Sequence, residues 1–119
     1  MTLRVEAVDF DCHEPERVAR FWGAALGCEP ESDGEGNWYL DPSDAGPEMI
    51  FLPVPESKAV KNRLHLDLRP DDQAAEVERL IGLGATRAQI GQTGEESWIV
   101  LADVEGNEFC VLRAKPVVE

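Results

Sequence analysis

The feature that most constrains the fold is an internal repeat at about half the length of the chain. The segment LRVEAVDFDCHEPE (residues 3–16) resembles NRLHLDLRPDD (residues 62–72). Two glycines, Gly27 and Gly84, and two turns, DPSDAG (41–46) and DVEG (103–106), follow in the same order in each half. Because a repeat of this length makes each copy one supersecondary unit that buries its apolar face against its twin, two modules of one fold are predicted.

Each half predicts a strand and then a helix. Residues 3–12 and 62–70 alternate apolar and polar side chains with the period of a half-buried strand. The first helix is predicted to start at Pro15, which suits a first turn, and to end at Gly27. The second is predicted to have Asp71 or Asp72 as its cap and to end at Gly84. The apolar stripes predicted to face the core are Val18, Phe21, Trp22, Ala25 and Leu26 in the first helix and Val77, Leu80 and Ile81 in the second.

Further strands follow each helix. They are predicted at 37–41 and 48–54 in the first half and at 85–92, 97–103 and 107–114 in the second, while residues 29–36 are typical of a turn. These elements predict an α+β fold of two βαβββ modules, with helices on one face of a mixed sheet that curls around a shared interior. We expect a single domain of residues 1–119, with module one at about 1–56, a connector at about 57–61 and module two at about 62–116.

Composition excludes several classes of function. The chain of 119 residues carries 24 acidic and 11 basic side chains, a net charge of −13, which argues against binding nucleic acid or an anionic membrane surface. No apolar run approaches the roughly 20 residues of a membrane span. The three cysteines lack the paired spacing of a zinc cage or a disulfide framework, and the N-terminus lacks the order of a secretory signal. A reduced, cytoplasmic protein is therefore expected.

Alternation along the first strand of each module separates two faces. In module two it places His65, Asp67 and Arg69 on one face and Leu64, Leu66 and Leu68 on the other. The leucines are expected to pack under the second helix, so the polar side chains must face the other way. Module one repeats this logic, with Val8 and Phe10 under the first helix and Ala7, Asp9 and Asp11 opposite.

The order and spacing of these segments resemble the vicinal oxygen chelate superfamily, and within it the small glyoxalase-like proteins with two modules per chain. The segments that carry the resemblance are PERVARFWGAALG (15–27), NRLHLDLR (62–69), LIGLGA (80–85) and WIVLADVEGNEFCVL (98–112). The resemblance spans residues 3–114. It implies that the sheets of the two modules curve around a central cleft in which a small molecule binds.

In metal-dependent members of this superfamily a divalent ion is bound by one ligand from the first strand and one from the last strand of each module. The matching positions in this chain are Ala7 and Ile50 in module one and His65 and Cys110 in module two. Alanine and isoleucine coordinate nothing, so His65 is the one conventional ligand at a family position. No metal cofactor is therefore expected. A divalent metal stays possible for two reasons. Glu48 shares strand parity with Ile50, so a shift of two residues would bring in a carboxylate, and Asp9 and Asp67 share parity with Ala7 and His65.

The predicted ligand-binding residues are those that parity or the resemblance places toward the cleft. His65 is the candidate catalytic residue, as a hydrogen-bond partner or general base, with a purely structural cleft histidine as the alternative. Cys110 has no neighbouring cation in sequence and is expected to be an inert thiol. Trp38 and Trp98 begin corresponding strands and either line the cleft or pack in the core. The complete set is His65, Asp67, Asp9, Trp38, Trp98, Glu48 and Cys110.

Three functions fit this sequence. The first is a glyoxalase-like protein that binds a small organic molecule in the inter-module cleft, as a binding protein or a diverged enzyme, without a complete metal site. The second is a drug-sequestering protein of the bleomycin-binding type, for which an acidic chain suits a cationic drug. The third is a metal-dependent lyase or dioxygenase. A homodimer is expected, because exposed sheet edges favour pairing and two-fold dimers are the commonest oligomers.

Overall fold

A computed structural model of the chain describes residues 3–88 and 98–115. The chain divides into two compact units, Met1–Lys58 and Ala59–Glu119, which correspond to modules one and two and are described separately. Each unit contains one α-helix and one four-stranded sheet among these residues. The prediction of an α+β fold built from two modules is confirmed.

Module one begins with a strand, β1, followed by helix α1 and three more strands. The elements are β1 (Ala7–Cys12), α1 (Pro15–Leu26), β2 (Glu31–Ser32), β3 (Trp38–Leu40), a short 3-10 helix (Ser43–Ala45) and β4 (Glu48–Pro53). The strand order in the sheet is β1-β4-β3-β2, with β1 parallel to β4 and the other pairs antiparallel. Strand β2 lies within residues 29–36, where the sequence predicted only a turn.

The helix α1 covers one face of the module-one sheet. It starts at Pro15 and ends as predicted at Gly27, which has a left-handed backbone (φ 77°) and donates its N–H to the carbonyl of Gly23. The Phe10 ring of β1 lies 5.9 Å from the Trp22 ring of α1 and 5.0 Å from that of Phe51, centroid to centroid. Phe10 therefore lies under the first helix, as predicted.

Module two has the same topology. Its elements are β5 (Leu66–Leu68), α2 (Gln73–Gly82), β6 (Thr86–Arg87), β7 (Trp98–Ala102) and β8 (Glu108–Leu112). The strand order is β5-β8-β7-β6, with β5 parallel to β8 and the remaining pairs antiparallel. The predicted strand at 85–92 is present at Thr86–Arg87, and its residues from 89 onward lie outside the described residues.

The second helix begins as predicted and packs differently at its end. The Asp72 carboxylate caps α2 by accepting a hydrogen bond from the Ala75 N–H at 3.1 Å. Val77 and Leu80 are buried, but Ile81 is 39% exposed, so the prediction that it belongs to the core stripe is wrong. The reason is that the buried stripe of this short helix is narrow, and Ile81 lies on its flank.

The first strand of each module is shorter than its alternating pattern. Leu64 was expected to pack under the second helix, but it lies before β5 and is 87% exposed, so this prediction is wrong. Leu3 and Val5, in the predicted strand 3–12, likewise precede β1 and are exposed. Alternation selects a face only for residues that pair with a neighbouring strand, and these residues precede the paired stretch.

A hydrogen-bonded loop with the sequence Asp-x-Glu-Gly-Asn occurs once in each module. In the loop 33–37, Asp33 Oδ1 accepts from the Glu35 N–H at 2.7 Å, and the Asn37 side-chain amide donates to Asp33 Oδ2 at 2.7 Å. The loop 103–107 repeats these bonds around Asp103. The first loop joins β2 to β3 and the second joins β7 to β8, so the two loops occupy different hairpins of the repeat.

No helix among the described residues is long and apolar enough to cross a membrane.

Candidate functional site

Three side chains of module two converge on one face of its sheet. The parallel pairing of β5 with β8 places Asp67 opposite Cys110. His65 lies two residues before Asp67, and its Nε2 is 3.2 Å from Asp67 Oδ1. Each of the three residues offers a donor atom that lies within 4.8 Å of the other two. We refer to His65, Asp67 and Cys110 as the module-two triad.

The members of the triad differ in their exposure to solvent. Cys110 is buried, with 7% of its surface exposed. The side chains of His65 and Asp67 are about half exposed, at 46% and 53%. Burial raises the pKa of the Cys110 thiol, and the negative charge and hydrogen bond of Asp67 raise that pKa further. A raised pKa favours the protonated thiol, which is the less nucleophilic form. The expectation of an inert thiol stays a prediction.

Two long-range hydrogen bonds hold the segment that carries His65 and Asp67. Before this segment, the Asn62 N–H donates to Glu108 Oε2 at 3.3 Å. After it, the Arg69 guanidinium donates to the carbonyl of Arg113 at 2.7 Å. Both bonds join the segment to β8 or to the residue that follows it. The backbone that carries the exposed His65 and Asp67 side chains is therefore fixed at both ends. Sequence reasoning did not identify Glu108 as part of this arrangement.

The antiparallel pairing of β7 with β8 extends the same face of the sheet. Val100 pairs with Cys110, and Trp98 pairs with Leu112, two residues further along. Paired residues point to the same side of a sheet, so Trp98 and Val100 share the face of the triad. Trp98 is 41% exposed. Buried Phe109 and Val111 alternate with these residues and pair with Leu66 and Leu68 on the opposite face, the one predicted to lie under α2.

Module one has the same strand register but different side chains. Asp9 pairs with Ile50, as Asp67 pairs with Cys110, and Ala7 pairs with Glu48. Ala7 and Ile50 therefore stand where module two has His65 and Cys110, as the sequence predicted. Asp9 and Glu48 share a face of the module-one sheet, but that face lacks the imidazole and thiol of the triad.

Trp38 does not lie on the module-one face that carries Asp9. It pairs with the buried Phe51, and the Arg20 guanidinium of α1 lies 5.3 Å from the centre of its ring. This arrangement favours the packing alternative for Trp38. With Arg17 and Arg20 it also lines an open surface depression of about 520 Å³. A second depression, of about 340 Å³, lies near Gly27 and Cys28 at the end of α1. Neither contains a member of the triad.

The divalent metal that the fold family implies can be tested against these side chains. At the family positions module one offers Ala7 and Ile50, which have no donor atom, so the two-module ligand set does not fit this chain. Module two offers an imidazole nitrogen, a carboxylate oxygen and a sulfur atom within 4.8 Å. Three protein ligands match the number in catalytic zinc sites. The strand parity of Asp67 with His65 was one of the two sequence signals that left a divalent metal possible.

Comparison with known proteins identifies the class of this fold. The chain matches FosX, a fosfomycin resistance protein from Mesorhizobium loti, with a TM-score of 0.73 and 17% identity over 97% of this chain and 94% of that one. For FosX from Listeria monocytogenes, solved with Mn(II) and 1S,2S-dihydroxypropylphosphonic acid, the TM-score is 0.72 and the identity is 14%, over 97% of this chain and 93% of that one. For a bleomycin resistance determinant encoded on transposon Tn5, the TM-score is 0.63 and the identity is 16%, over 96% of this chain and 100% of that one. The fold is that of the vicinal oxygen chelate superfamily.

The sequence itself identifies the family. The profile of the glyoxalase-like domain matches residues 7–112, and the chain belongs to this family. No curated protein sequence matches the chain significantly.

Proposed function

We propose that this glyoxalase-like protein binds a small organic molecule on the module-two face that carries the triad, without the two-module metal site of the metal-dependent relatives. The observation that supports this proposal is the 3.2 Å contact between half-exposed His65 and Asp67. Half-exposed Trp98 lies on the same face, on the far side of β8. A small-molecule site typically combines an apolar surface with a few convergent polar groups. The inter-module cleft expected from the family resemblance stays a prediction.

The close contact with Asp67 suggests which imidazole nitrogen would recognise a ligand. Nε2 of His65 lies 3.2 Å from the Asp67 carboxylate. We propose that Nε2 carries the proton of the neutral ring, which leaves Nδ1 as the acceptor. A ligand hydroxyl or an acidic C–H group next to a carbonyl would be recognised at Nδ1. In a diverged enzyme this nitrogen would serve as the general base, and Asp67 would stabilise the imidazolium that forms.

Sequestration of a cationic drug is the second candidate function. The net charge of −13 supports it, because an acidic protein attracts cationic ligands and accelerates their association. A sequestering protein binds without turnover, whereas an enzyme converts its ligand. Product analysis by mass spectrometry after incubation with a bound compound separates the two functions.

The proposed site is tested by a thermal-shift screen of small metabolites that includes hydroxy acids, α-dicarbonyl compounds and cationic antibiotics. We expect the screen to find a compound that raises the thermal unfolding midpoint. Its affinity should be at least about tenfold lower for His65→Ala and for Asp67→Asn. Loss of one hydrogen bond to a charged group, about 1.5 kcal/mol or more, accounts for a change of this size.

His13→Ala and Asp9→Asn are the matched controls, because they remove the other histidine and the module-one counterpart of Asp67. Both controls should bind the compound as the unmodified chain does. Equal binding by all four variants would place the ligand elsewhere and contradict the proposed site.

We also propose that the protein is a cytoplasmic homodimer. Strands β1 and β5 each stand at the edge of a four-stranded sheet, and a sheet edge offers unpaired backbone groups to a neighbour. Light scattering at micromolar concentration should give about twice the chain mass of 13.1 kDa. A mass near that of one chain would exclude the dimer.

A further inference from the structure

We propose that the triad His65, Asp67 and Cys110 forms a three-ligand site for a borderline divalent transition ion of the zinc class, contained entirely within module two. This inference goes beyond the proposed function and does not depend on it. It concerns a donor set that the two-module ligand pattern does not contain, because Asp67 is not at any of the four family positions.

The geometry brings three different donors together on two paired strands. Asp67 and Cys110 are direct partners in the β5–β8 register, and His65 Nε2 is 3.2 Å from Asp67 Oδ1. That separation is close to the distance between two ligands of one tetrahedral ion, roughly 3.3–3.6 Å for metal–ligand bonds of about 2.0–2.3 Å. The largest separation in the triad is at most 4.8 Å. Cys110 is buried and stays in place, while the side chains of half-exposed His65 and Asp67 can rotate about their own χ angles. Such a rotation can shorten the largest donor–donor distance by the remaining gap of about 1 Å.

The chemistry of the donors selects the class of ion. Mg²⁺, Ca²⁺ and Mn²⁺ favour carboxylate, carbonyl and water oxygens, whereas a thiolate and an imidazole favour Zn²⁺ and its neighbours. Cys110 is buried and supplies the sulfur from inside the sheet face, while the other two ligands approach from the solvent side. Three protein ligands leave a fourth position open, so a bound ion would supply Lewis acidity toward an oxygen of a ligand.

The proposed site is tested by titrating the chain, purified without a histidine tag, with Co²⁺ alone. Cobalt bound by a thiolate gives a charge-transfer absorption band in the near ultraviolet, and tetrahedral Co²⁺ gives intense visible bands. We expect one equivalent of Co²⁺ to develop both bands and one equivalent of Zn²⁺ to remove them, while Mn²⁺ in excess leaves them unchanged. Absence of the charge-transfer band in the unmodified chain would overturn the proposal.

Variants of the triad identify the ligands. Cys110→Ser keeps the size of the side chain and should abolish the charge-transfer band. Asp67→Asn should weaken Co²⁺ binding more than about tenfold, because removal of a residue that only supports a metal ligand already weakens metal binding by about that factor. Cys28→Ala and Asp9→Asn are matched controls, one for a second thiol and one for the module-one counterpart of Asp67. Both should retain the bands.

Folding of each variant is checked by its thermal unfolding midpoint before titration, and Cys110→Ala replaces Cys110→Ser if the hydroxyl is not tolerated. Bands that persist without Cys110, or that disappear in Cys28→Ala, would refute the ligand assignment. The titration contains no organic molecule, so its failure would leave the metabolite-binding proposal intact, and failure of the metabolite screen would leave the metal site intact.

Discussion

Replacement of Gly84 by alanine should destabilise the protein more than the same replacement at Gly27, although the repeat makes these glycines counterparts. Gly84 has φ +121°, a conformation that side chains rarely adopt, and a Cβ there would lie 2.8 Å from Val104 Cγ1. Gly27 has φ +77° in the left-handed helical region, and a Cβ there would have no atom within 4 Å. Gly27→Ala therefore introduces backbone strain alone, and Gly84→Ala introduces strain and a steric clash.

The magnitudes follow from these two contributions. An alanine in the left-handed region costs roughly 1–2 kcal/mol. At Gly84 the less accessible backbone costs about 1–3 kcal/mol. The contact with Val104 adds about 1–3 kcal/mol of overpacking, because a valine side chain is stiff at χ1 and cannot easily turn away. We expect Gly84→Ala to cost about 3–5 kcal/mol and Gly27→Ala about 1 kcal/mol.

Urea unfolding at constant pH measures both free energies, and circular dichroism follows the transition. For a chain of this length 1 kcal/mol corresponds to roughly 4 °C, so the thermal midpoints of the two variants should differ by about 8 °C or more. The double variant Gly84→Ala/Val104→Ala separates the two contributions, because removal of Cγ1 relieves only the clash.

The double variant should recover about 1–3 kcal/mol relative to the sum of its single variants. Equal free-energy losses in Gly27→Ala and Gly84→Ala would refute the steric reasoning. Absence of any coupling between the alanines at 84 and 104 would show that the close approach to Val104 is not part of the cost.

Two further predictions concern particular side chains. Leu66→Ala should lower the free energy of unfolding in urea by about 2 kcal/mol, the low end for truncating a buried leucine, because Leu66 is half-buried. Leu64 is exposed, so Leu64→Ala should change this free energy by less than about 0.5 kcal/mol. Equal effects of the two variants would contradict the assigned start of β5. The Asn37 side-chain amide is the largest cause of the lowered pKa of Asp33, so its stabilising effect is present above the ordinary carboxyl pKa of about 3.9 and is lost as pH falls through the lower folded value. Asn37→Ala should therefore reduce stability at pH 7 more than at pH 3, and a difference independent of pH would count against this reasoning.

The sequence predicted the topology better than the extent of its strands. The repeat and the helix-ending glycines predicted two modules of the same order because each module must bury its own apolar stripe. Alternation also placed His65 and Asp67 on one face. It did not predict that Leu64 precedes the strand, because strand ends depend on which residues find a pairing partner across the sheet.

The candidate site was predicted in part for the same reason. His65, Asp67 and Cys110 were each singled out, but the contact between Asp67 and Cys110 depends on the register of β5 against β8, which no local pattern determines. The difference between Trp38 and Trp98 also depends on pairing, since the two begin corresponding strands and yet only Trp98 shares its face with the triad.

The two parallel strand pairs share one register, so the donor set of module two could be introduced into module one by substitution alone. Asp9 already stands opposite residue 50, and residue 7 already precedes it by two, the spacing that joins His65 to Asp67. Ala7→His and Ile50→Cys would therefore reproduce the triad in a backbone that needs no redesign. The two modules therefore share one strand register and differ by two substitutions at these positions, so that only module two has the three donor side chains.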